Sequence, residues 1–329
     1  MKAIVIRRTG GSDVLEYADV PTPQPGRGEV LVRAQAIGVN YFDILIRTGR
    51  YRWMPKLPFI PGNETSGHVV ALGEGAHRLT EGQPVFVAGY DIGNRGGLYA
   101  EYAAVPQDAV WALPESVDLD AAVSLTNYQL AYILMHQAAR GIEARTAVVY
   151  GAAGGVGTAL MDIARLAGAR VIGTAGSAEK CAFIEARGAD AINYATENVV
   201  ERVKALTDGR GADLVFDHVA GKPFTDGLKM LAPFVMLVSY GLLGGMPDKD
   251  LFAEMRANLE HSPAVRCFTM HTYDHMPEPR RAAMAAAIEL LAAGKIDPAI
   301  AAKLPLAEAG RAHEMIESRS AMGKIVLKP

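Results

Sequence analysis

An apolar run in the middle of the chain ends in closely spaced glycines, VVYGAAGGVG at residues 148–157. Residues 148–150 predict the end of a buried parallel strand, and residues 158–167 carry apolar side chains at helical spacing. The glycines therefore lie in a strand-to-helix turn, where the missing Cβ lets the backbone approach a phosphate group closely. The first free N–H groups of the helix, with about half a positive charge from its dipole, would face that anion. The pattern predicts the pyrophosphate of a dinucleotide as ligand.

The turn departs from the usual G-x-G-x-x-G fingerprint at one position. Residues 152–157 read AAGGVG, so the second and third glycines are present and alanine replaces the first. A glycine-rich turn can also be a tight connection that binds nothing. The residues expected to contact the cofactor in this turn are Ala153, Gly154, Gly155, Val156 and Gly157.

The next predicted strand, ARVIGT at 169–174, indicates which dinucleotide binds. An enzyme that prefers NAD places Asp or Glu near the end of this strand to bind the ribose 2′-hydroxyl, and this sequence has neither there. Gly176, Ser177 and Lys180 instead offer a hydroxyl and an ammonium group to a 2′-phosphate. Two such hydrogen bonds, at about 1.5–3 kcal/mol each, predict a preference for NADPH of about a hundredfold or more. Alternatively, Ser177 caps the next helix and Lys180 is a solvated first-turn residue, and for Ser177 both can hold.

Length and composition limit the class of protein. The 329 residues are enough for two domains with real cores, and half of them are hydrophobic. The net charge is −3 and basic residues are scattered, so no nucleic-acid partner is expected. No apolar run approaches the ~20 residues that cross a bilayer, and the opening MKAIVIRRTG lacks the apolar core of a signal peptide. We therefore expect a cytoplasmic protein without a membrane partner.

The two cysteines, Cys181 and Cys267, are too few and too far apart to predict a disulfide framework or a structural zinc site. Cys181 lies on a predicted helix and Cys267 in the strand-like run VRCFTM. We interpret both as packing residues rather than catalytic thiols.

The sequence before the glycine turn predicts a β-rich domain. Residues 29–36 alternate apolar and polar side chains as a half-buried strand does, and glycine- and proline-rich turns separate the strands. Further strands are predicted at 69–72, 83–88 and 101–105.

From about residue 121 helices and strands alternate, which predicts a doubly wound parallel sheet. After about residue 272 the chain is expected to return to the first domain, so the predicted domains are 1–122, 123–271 and 272–329. Ligands of such sheets bind beyond the carboxyl ends of the strands, here facing the cleft between domains. The predicted helices include 127–140, 179–187, 198–206, 279–293 and 306–318, and a last strand is predicted at 323–329.

Several motifs are shared with one known family. They are GVNYFD at 38–43, IRTGRY at 46–51, PGNE at 61–64, the AAGGVG turn, INY at 192–194, RAHE at 311–314 and GKIVL at 323–327. With these motifs the chain resembles, nearly from end to end, the medium-chain dehydrogenase/reductase superfamily and within it the zinc-free quinone oxidoreductase (zeta-crystallin-like) group. The resemblance implies a Rossmann domain inserted in a GroES-like catalytic domain.

The resemblance also bears on zinc. Zinc-dependent relatives have Cys at the position of Asn40 and His at the position of Asn63, and amides are poor zinc ligands. The cysteine-rich lobe of those relatives is replaced by the short segment 88–98. His68 stands alone beside two valines and is interpreted as a packing residue. We predict no metal.

Without a Lewis acid, catalysis must depend on placing the nicotinamide C4 against an electron-poor substrate and on hydrogen-bond donors at the oxygen that becomes negative. Quinones and α,β-unsaturated carbonyl compounds suit this chemistry. The resemblance implies that Asn40, Asp43 and Tyr51 line the cleft as catalytic residues, with Asn40 and Tyr51 close to the nicotinamide. Alternatively, Asn40 and Asp43 form a turn, and Tyr51 covers apolar surface.

Further cofactor contacts follow from the resemblance rather than from spacing. Leu130 replaces a threonine that the family has near the nicotinamide, so the pocket is expected to be more apolar. His218 is given no catalytic role. The remaining implied cofactor contacts are Tyr194 at the 2′-phosphate, Asn127, Ser239, Tyr240 and Gly241.

The leading hypothesis is an NADPH-dependent reductase of quinones or enones. The alternatives are a zinc-type alcohol dehydrogenase, which lacks its metal ligands here, and a non-catalytic NADPH-binding sensor or regulatory protein. The family implies a homodimer, and the strand-like residues 265–270 at the far edge of the sheet are the predicted pairing segment. The loops 50–56 and 244–250 are expected to shape the substrate pocket.

Overall fold

The computed structural model describes residues 1–329, which divide into two units. The first unit comprises Met1–Thr126 and Ile288–Pro329. The second unit, Asn127–Ala287, is inserted in the first.

The divisions do not lie at the predicted boundaries after residues 122 and 271. The later division falls within one helix, Pro277–Ala292, rather than before it. The larger, first part of that helix, up to Ala287, belongs to the second unit and is hydrogen-bonded there: Gln129 Nε2 donates to the carbonyl oxygen of Arg280 at 2.8 Å.

The first unit is built around a mainly antiparallel seven-stranded sheet. Its strands are β3 (Glu29–Val39), β4 (Glu64–Leu72), β5 (Pro84–Ala88), β6 (Tyr102–Pro106), β7 (Val110–Ala112), β14 (Ile300–Pro305) and β15 (Lys324–Lys328). They run in the order β14-β15-β3-β4-β5-β7, and β6 pairs with β3. A separate antiparallel pair consists of β1 (Lys2–Val5) and β2 (Glu16–Asp19), and the helices are α1 (Tyr41–Arg47), α2 (Leu119–Ala122) and α10 (Ala309–Glu317).

Two strands of this sheet are longer than the sequence predicts. β3 continues to Val39 because β15 pairs with its last residues, and β4 begins at Glu64 rather than at residue 69. The missed part of β4 is polar, but its hydroxyls find backbone partners: Thr65 Oγ1 donates to the carbonyl oxygen of Ala36 at 2.8 Å. Strand pairing therefore buries a polar stretch of sequence. A search for alternating apolar side chains does not detect such a stretch as a strand.

The second unit confirms the predicted doubly wound parallel sheet. Its strands are β8 (Thr146–Val149), β9 (Arg170–Ala175), β10 (Asp190–Asn193), β11 (Ala212–Asp217), β12 (Leu231–Ser239) and β13 (Ala264–Cys267). The strand order is β10-β9-β8-β11-β12-β13, and every pair is parallel. The order reverses between β8 and β11, which is the position where open α/β sheets bind ligands.

Apart from the helix at Leu251–Ala257, which was not predicted, the helices of the second unit agree with the predictions to within a few residues, with two further differences. They are α3 (Leu125–Ile133), α4 (Gly155–Leu166), α5 (Ala178–Ala186), α6 (Val199–Leu206), α7 (Gly221–Lys229), α8 (Leu251–Ala257) and α9 (Pro277–Ala292). The predicted helix 127–140 ends as a π-helical turn, Leu134–Ala138, where the N–H of Ala139 donates to the carbonyl oxygen of Leu134 at 3.0 Å. The predicted segment 306–318 opens with a 3₁₀ turn, Leu306–Glu308, before α10.

β13 lies at the edge of the second sheet, as predicted, but it ends at Cys267 rather than at residue 270. A 3₁₀ segment, Met270–His275, follows it. Near the start of β12, Phe234 has a left-handed backbone with φ of 62° and is 80% exposed. None of the helices combines the length and the apolar character that a membrane span requires.

Candidate active site

The glycine turn joins the carboxyl end of β8 to the start of α4, at the point where the strand order reverses. α4 begins at Gly155, not at residue 158 as predicted, because the carbonyl oxygen of Gly154 accepts the N–H of Thr158 at 2.8 Å. The first three N–H groups of a helix have no partner within it, and Gly154 provides no side-chain cap. The N–H groups of Gly155, Val156 and Gly157 are therefore directed to an anion or to water.

The positions of the turn differ in why they hold glycine or alanine. A Cβ on Gly157 would lie 2.4 Å from the carbonyl oxygen of Gly151, so no side chain fits there. A Cβ on Gly154 would meet only that same oxygen, at 3.4 Å, so the space in front of Gly154 is open. The first position of the fingerprint accepts Ala152 because Gly173 lies opposite: a Cβ on Gly173 would be 2.6 Å from that of Ala152. The turn fits a pyrophosphate despite its missing first glycine.

Three of the residues predicted to select the 2′-phosphate lie together at the end of β9. Tyr194 follows β10 and donates its N–H to the carbonyl oxygen of Ala175 at 2.9 Å. Its ring lies against Gly176, where a Cβ would be 2.5 Å from the phenol oxygen. Ser177 is the N-cap of α5, and its Oγ accepts the N–H of Lys180 at 3.3 Å, so the predicted cap is present. The Ser177 hydroxyl can still donate its own proton to a ligand.

The other predicted cofactor residues also lie in the second unit. Ser239, Tyr240 and Gly241 lie at the carboxyl end of β12, and Asn127 is the first residue of the unit in the sequence. Ser239 ends β12, and Tyr240 donates its N–H to the carbonyl oxygen of Asp217 at 2.8 Å. The ring of His218 packs against the turn, since a Cβ on Gly151 would be 2.4 Å from it, and it lies 5.7 Å from the ring of Tyr240. Gly241 lies against His218, where a Cβ would be 2.6 Å from the carbonyl oxygen of that residue. Asn127, on α3, is buried.

Asp43 is completely buried in the first unit and is bonded to its own surroundings. Its carboxylate accepts the N–H of Asn40 at 2.9 Å, the N–H of Gly62 at 3.2 Å and the hydroxyl of Tyr99 at 3.2 Å. Burial is the largest influence on this carboxyl group and raises its pKa to about 7. These contacts are those of the turn interpretation, and a catalytic role for Asp43 stays a prediction.

Asn40 is the N-cap of α1, and its side-chain amide is held between two charged residues. Lys324 Nζ donates to Asn40 Oδ1 at 2.6 Å, and Asn40 Nδ2 donates to Glu64 Oε1 at 2.7 Å. Lys324 and Glu64 also form an ion pair with each other, with side chains only 2% and 0% exposed. The hydroxyl of Thr126 donates to the second oxygen of Glu64.

This pair fixes the orientation of the Asn40 amide. An ammonium group only donates hydrogen bonds and an ionised carboxylate only accepts them, so the amide oxygen must face Lys324 and the amide nitrogen must face Glu64. Glu64 takes one of the two N–H groups of that nitrogen. The second remains for a ligand, on a residue that is itself only partly buried.

Sequence reasoning missed Glu64 and Lys324. Both lie inside motifs that the sequence displays, PGNE and GKIVL, and a charged residue beside an apolar strand segment was the available signal. The pairing of these two residues could not be predicted from the sequence, because β15 and β4 are brought together only by β3, which lies between them in the sheet.

Tyr51 is buried, at 8% exposure, in an aromatic group. Its ring lies 4.7 Å from that of Phe42 in an edge-to-face arrangement and 5.6 Å from that of Trp53. Its hydroxyl accepts a hydrogen bond from Arg95 Nη1 at 3.3 Å. Tyr51 thus covers apolar surface, as the alternative interpretation holds, while its hydroxyl has a polar partner.

The donors of this chain do not fit zinc. The Asn40 amide is engaged as described, and Asn63 is a buried amide that packs on Gly89, where a Cβ would be 2.3 Å from Asn63 Oδ1. No group of three or more His, Cys, Asp or Glu side chains in residues 1–329 is arranged to hold a metal ion. His68 is partly buried within β4.

Comparison with known proteins identifies the family. Residues 26–115 match the alcohol dehydrogenase GroES-like domain, and residues 155–292 match the zinc-binding dehydrogenase domain. A quinone oxidoreductase of Pseudomonas aeruginosa is 34% identical over 332 residues, covering 100% of this chain and 99% of the relative.

Solved structures agree with that relative. The Escherichia coli quinone oxidoreductase, solved as a complex with NADPH, superimposes with a TM-score of 0.88 at 29% identity and full coverage of both chains. A 2-haloacrylate reductase superimposes with a TM-score of 0.82 at 27% identity, covering 100% of this chain and 99% of the other.

The chain is therefore an oxidoreductase of the medium-chain dehydrogenase/reductase superfamily. Within that superfamily it belongs to the quinone oxidoreductase group, which confirms the resemblance seen in the sequence.

Proposed function

We propose that this oxidoreductase uses NADPH to reduce quinones or α,β-unsaturated carbonyl compounds without a metal ion. The observation that carries the proposal is the glycine turn of the second unit, whose helix begins with three N–H groups that have no partner within the helix and no side-chain cap, next to the open space at Gly154. Such a helix start binds the phosphates of a dinucleotide. The solved complex of the Escherichia coli quinone oxidoreductase with NADPH supports the same cofactor. The 2-haloacrylate reductase among the structural neighbours supports a reductase.

The second unit would bind the cofactor at two points. The N–H groups of Gly155, Val156 and Gly157 would hold the pyrophosphate, and Ser177, Lys180 and Tyr194 would surround the 2′-phosphate. When bound, NADPH supplies a hydride from its nicotinamide ring.

The first unit would stabilise the charge that develops on the acceptor. The free N–H of Asn40 is a neutral donor with a fixed direction, because Lys324 and Glu64 hold the other amide atoms. A preorganised donor at a developing oxyanion contributes about 10²–10³-fold to the rate. An amide in this position suits a conjugated carbonyl, whose oxygen becomes negative when hydride is added.

The cofactor part of the proposal is tested by calorimetric titration with NADPH and NADH. We expect NADPH to bind about a hundredfold more tightly, because only it has the 2′-phosphate. The double variant Ser177→Ala/Lys180→Met should lose most of this difference while its affinity for NADH stays unchanged. Equal affinities of the unmodified protein for both cofactors would refute the assignment of these residues.

The reaction is tested by following NADPH oxidation with a panel of quinones and enones, before and after treatment with a chelator. We expect turnover that the chelator does not change. Tight NADPH binding without turnover on any acceptor would favour a non-catalytic sensor, and stoichiometric zinc with alcohol oxidation would favour the alcohol dehydrogenase alternative.

We also propose that the protein is a homodimer paired through β13, because this edge strand has one side without a partner strand in the chain. Light scattering at micromolar concentration should give twice the mass of 35.0 kDa, and a single-chain mass would exclude the dimer. The cytoplasmic location stays a prediction.

A further inference from the structure

Trp53 is a large aromatic side chain of the first unit that is 53% exposed. It lies in the loop that follows α1, in the segment that the sequence predicts to shape the substrate pocket. Tryptophan is usually well buried, so exposure of more than half of an indole leaves apolar surface for another molecule to cover.

The exposed indole packs against other aromatic side chains. Its ring centroid is 5.6 Å from that of Tyr51, and the Tyr51 ring in turn packs edge-to-face on Phe42, on the first turn of α1. Tyr51 belongs to a core cluster with Ile6 and Phe59. The three aromatic rings thus form a continuous row that begins two residues from Asn40, the proposed hydrogen-bond donor.

The loop residues beside the indole are basic or uncharged. The guanidinium carbon of Arg52 lies 5.5 Å from the Trp53 ring centroid, and the loop contains no acidic residue between Arg50 and Lys56. Positive charge beside an aromatic surface suits an electron-poor ring that gains negative charge on reduction.

We propose that Trp53 is a specificity-determining residue that stacks on the flat ring of the acceptor, so that the enzyme prefers ring quinones to small open-chain enones. This inference rests on the proposed function, since it names the substrate class of the same site. Stacking of two aromatic rings can favour one acceptor over another by about tenfold.

The kinetic test compares 1,4-naphthoquinone with methyl vinyl ketone, a ringless enone. Trp53→Ala should lower kcat/KM for the quinone about tenfold and leave that for the enone within twofold, and Trp53→Phe should restore most of the loss. The control is Tyr17→Ala, because Tyr17 is another exposed aromatic residue of the same unit, at 45% exposure on β2. Equal losses with both acceptors, or none, would overturn the proposal.

A binding test separates this inference from the proposed function. The chain has only two tryptophans, Trp53 and Trp111, so Trp111→Phe leaves Trp53 as the single indole fluorophore. Naphthoquinone should quench that emission saturably, whereas the emission of Trp111 in Trp53→Phe should show only collisional, non-saturating quenching. Non-saturating quenching in both variants would refute stacking. Absence of NADPH-dependent turnover with either acceptor in the unmodified protein would refute the reductase proposal instead.

Discussion

The glycine turn of the second unit offers a ligand only backbone groups, whereas the cluster around Asn40 in the first unit is built from charged side chains held out of water. The turn is open because side chains are missing, and its close contacts come from residues 151–157 and from Gly173 on the neighbouring strand. In the cluster, Lys324 and Glu64, from distant parts of the chain, neutralise each other and orient one amide between them. We infer that the turn depends on positions without side chains, while the cluster depends on every charged partner.

The largest effect is expected from breaking the buried pair on one side only. Lys324→Met leaves the carboxylate of Glu64 buried without its cation, so it should lower the free energy of unfolding by about 3–5 kcal/mol. The double variant Glu64→Gln/Lys324→Met removes both charges and should recover most of that loss. Urea unfolding measures both.

The matched control for this experiment is Lys303→Met. Lys303 is half exposed, and its partner Asp120 also binds Lys328, so the expected loss is below about 1 kcal/mol. If Lys324→Met cost no more than this control, the buried pair would not support the first unit as described.

The next prediction concerns Asp43, whose carboxylate accepts the N–H of Asn40, and the effect of burial on its pKa. Burial raises its pKa to about 7 in the folded chain, whereas the pKa of an ordinary aspartate, as in the unfolded chain, is 3.8. The folded state therefore keeps a proton that the unfolded chain releases at lower pH. This carboxyl group contributes stability below about pH 4 that is lost as the pH rises through about 7, on the order of 4 kcal/mol. Asp43→Asn should flatten that part of the curve of unfolding free energy against pH, and an unchanged slope would show that Asp43 ionises as freely as in the unfolded chain.

Gly154→Ala tests whether the glycine turn binds the cofactor. The added methyl group has room in the protein, at 3.4 Å from its nearest neighbour, but fills the space that a pyrophosphate needs. NADPH affinity measured by calorimetry should fall about a hundredfold, about 2.7 kcal/mol, with little change in thermal stability. Gly93→Ala is the control, since nothing lies within 4 Å of a Cβ there. If Gly154→Ala bound NADPH normally, the turn would be a connection and not a cofactor site.

The smallest expected effect is at Phe234, which belongs to neither site. Its left-handed φ of 62° is costly for a residue with a side chain, and 80% exposure gives its ring little packing in return. Phe234→Gly should therefore raise the free energy of unfolding by about 1 kcal/mol without changing NADPH affinity or turnover. A destabilised variant would reveal packing of this ring that outweighs the backbone strain.

The same contrast explains which features the sequence could predict. The glycine turn and Ser177 lie on short segments at the ends of adjacent parallel strands, so a pattern of strands and glycines was enough to bring them together. Tyr194 was implied by the family resemblance and not by this pattern. The parallel sheet followed from alternating helices and strands. The sequence did not predict that the first position of the turn can hold Ala152 instead of glycine. That substitution depends on Gly173, which lies opposite on the neighbouring strand.

The residues that sequence reasoning missed depend on pairing between strands that are far apart in the chain. Glu64 was not recognised as part of β4, since a buried acidic residue next to hydroxyl side chains does not look like a strand. Its surroundings also require Gly38, where a Cβ would lie 2.2 Å from the Glu64 carboxylate. The division within α9 was missed because it depends on the hydrogen bond from Gln129 to the backbone of Arg280.

The pairing of Glu64 with Lys324 has a consequence for how the chain is made. At the usual speed of translation, Lys324 emerges from synthesis roughly ten to fifty seconds after Glu64. During that interval β3 lacks its neighbour β15, and the acidic side chain has no cation to accompany it. The first part of the first unit, Met1–Thr126, therefore stays incompletely folded until the ribosome has synthesised the whole second unit and β15.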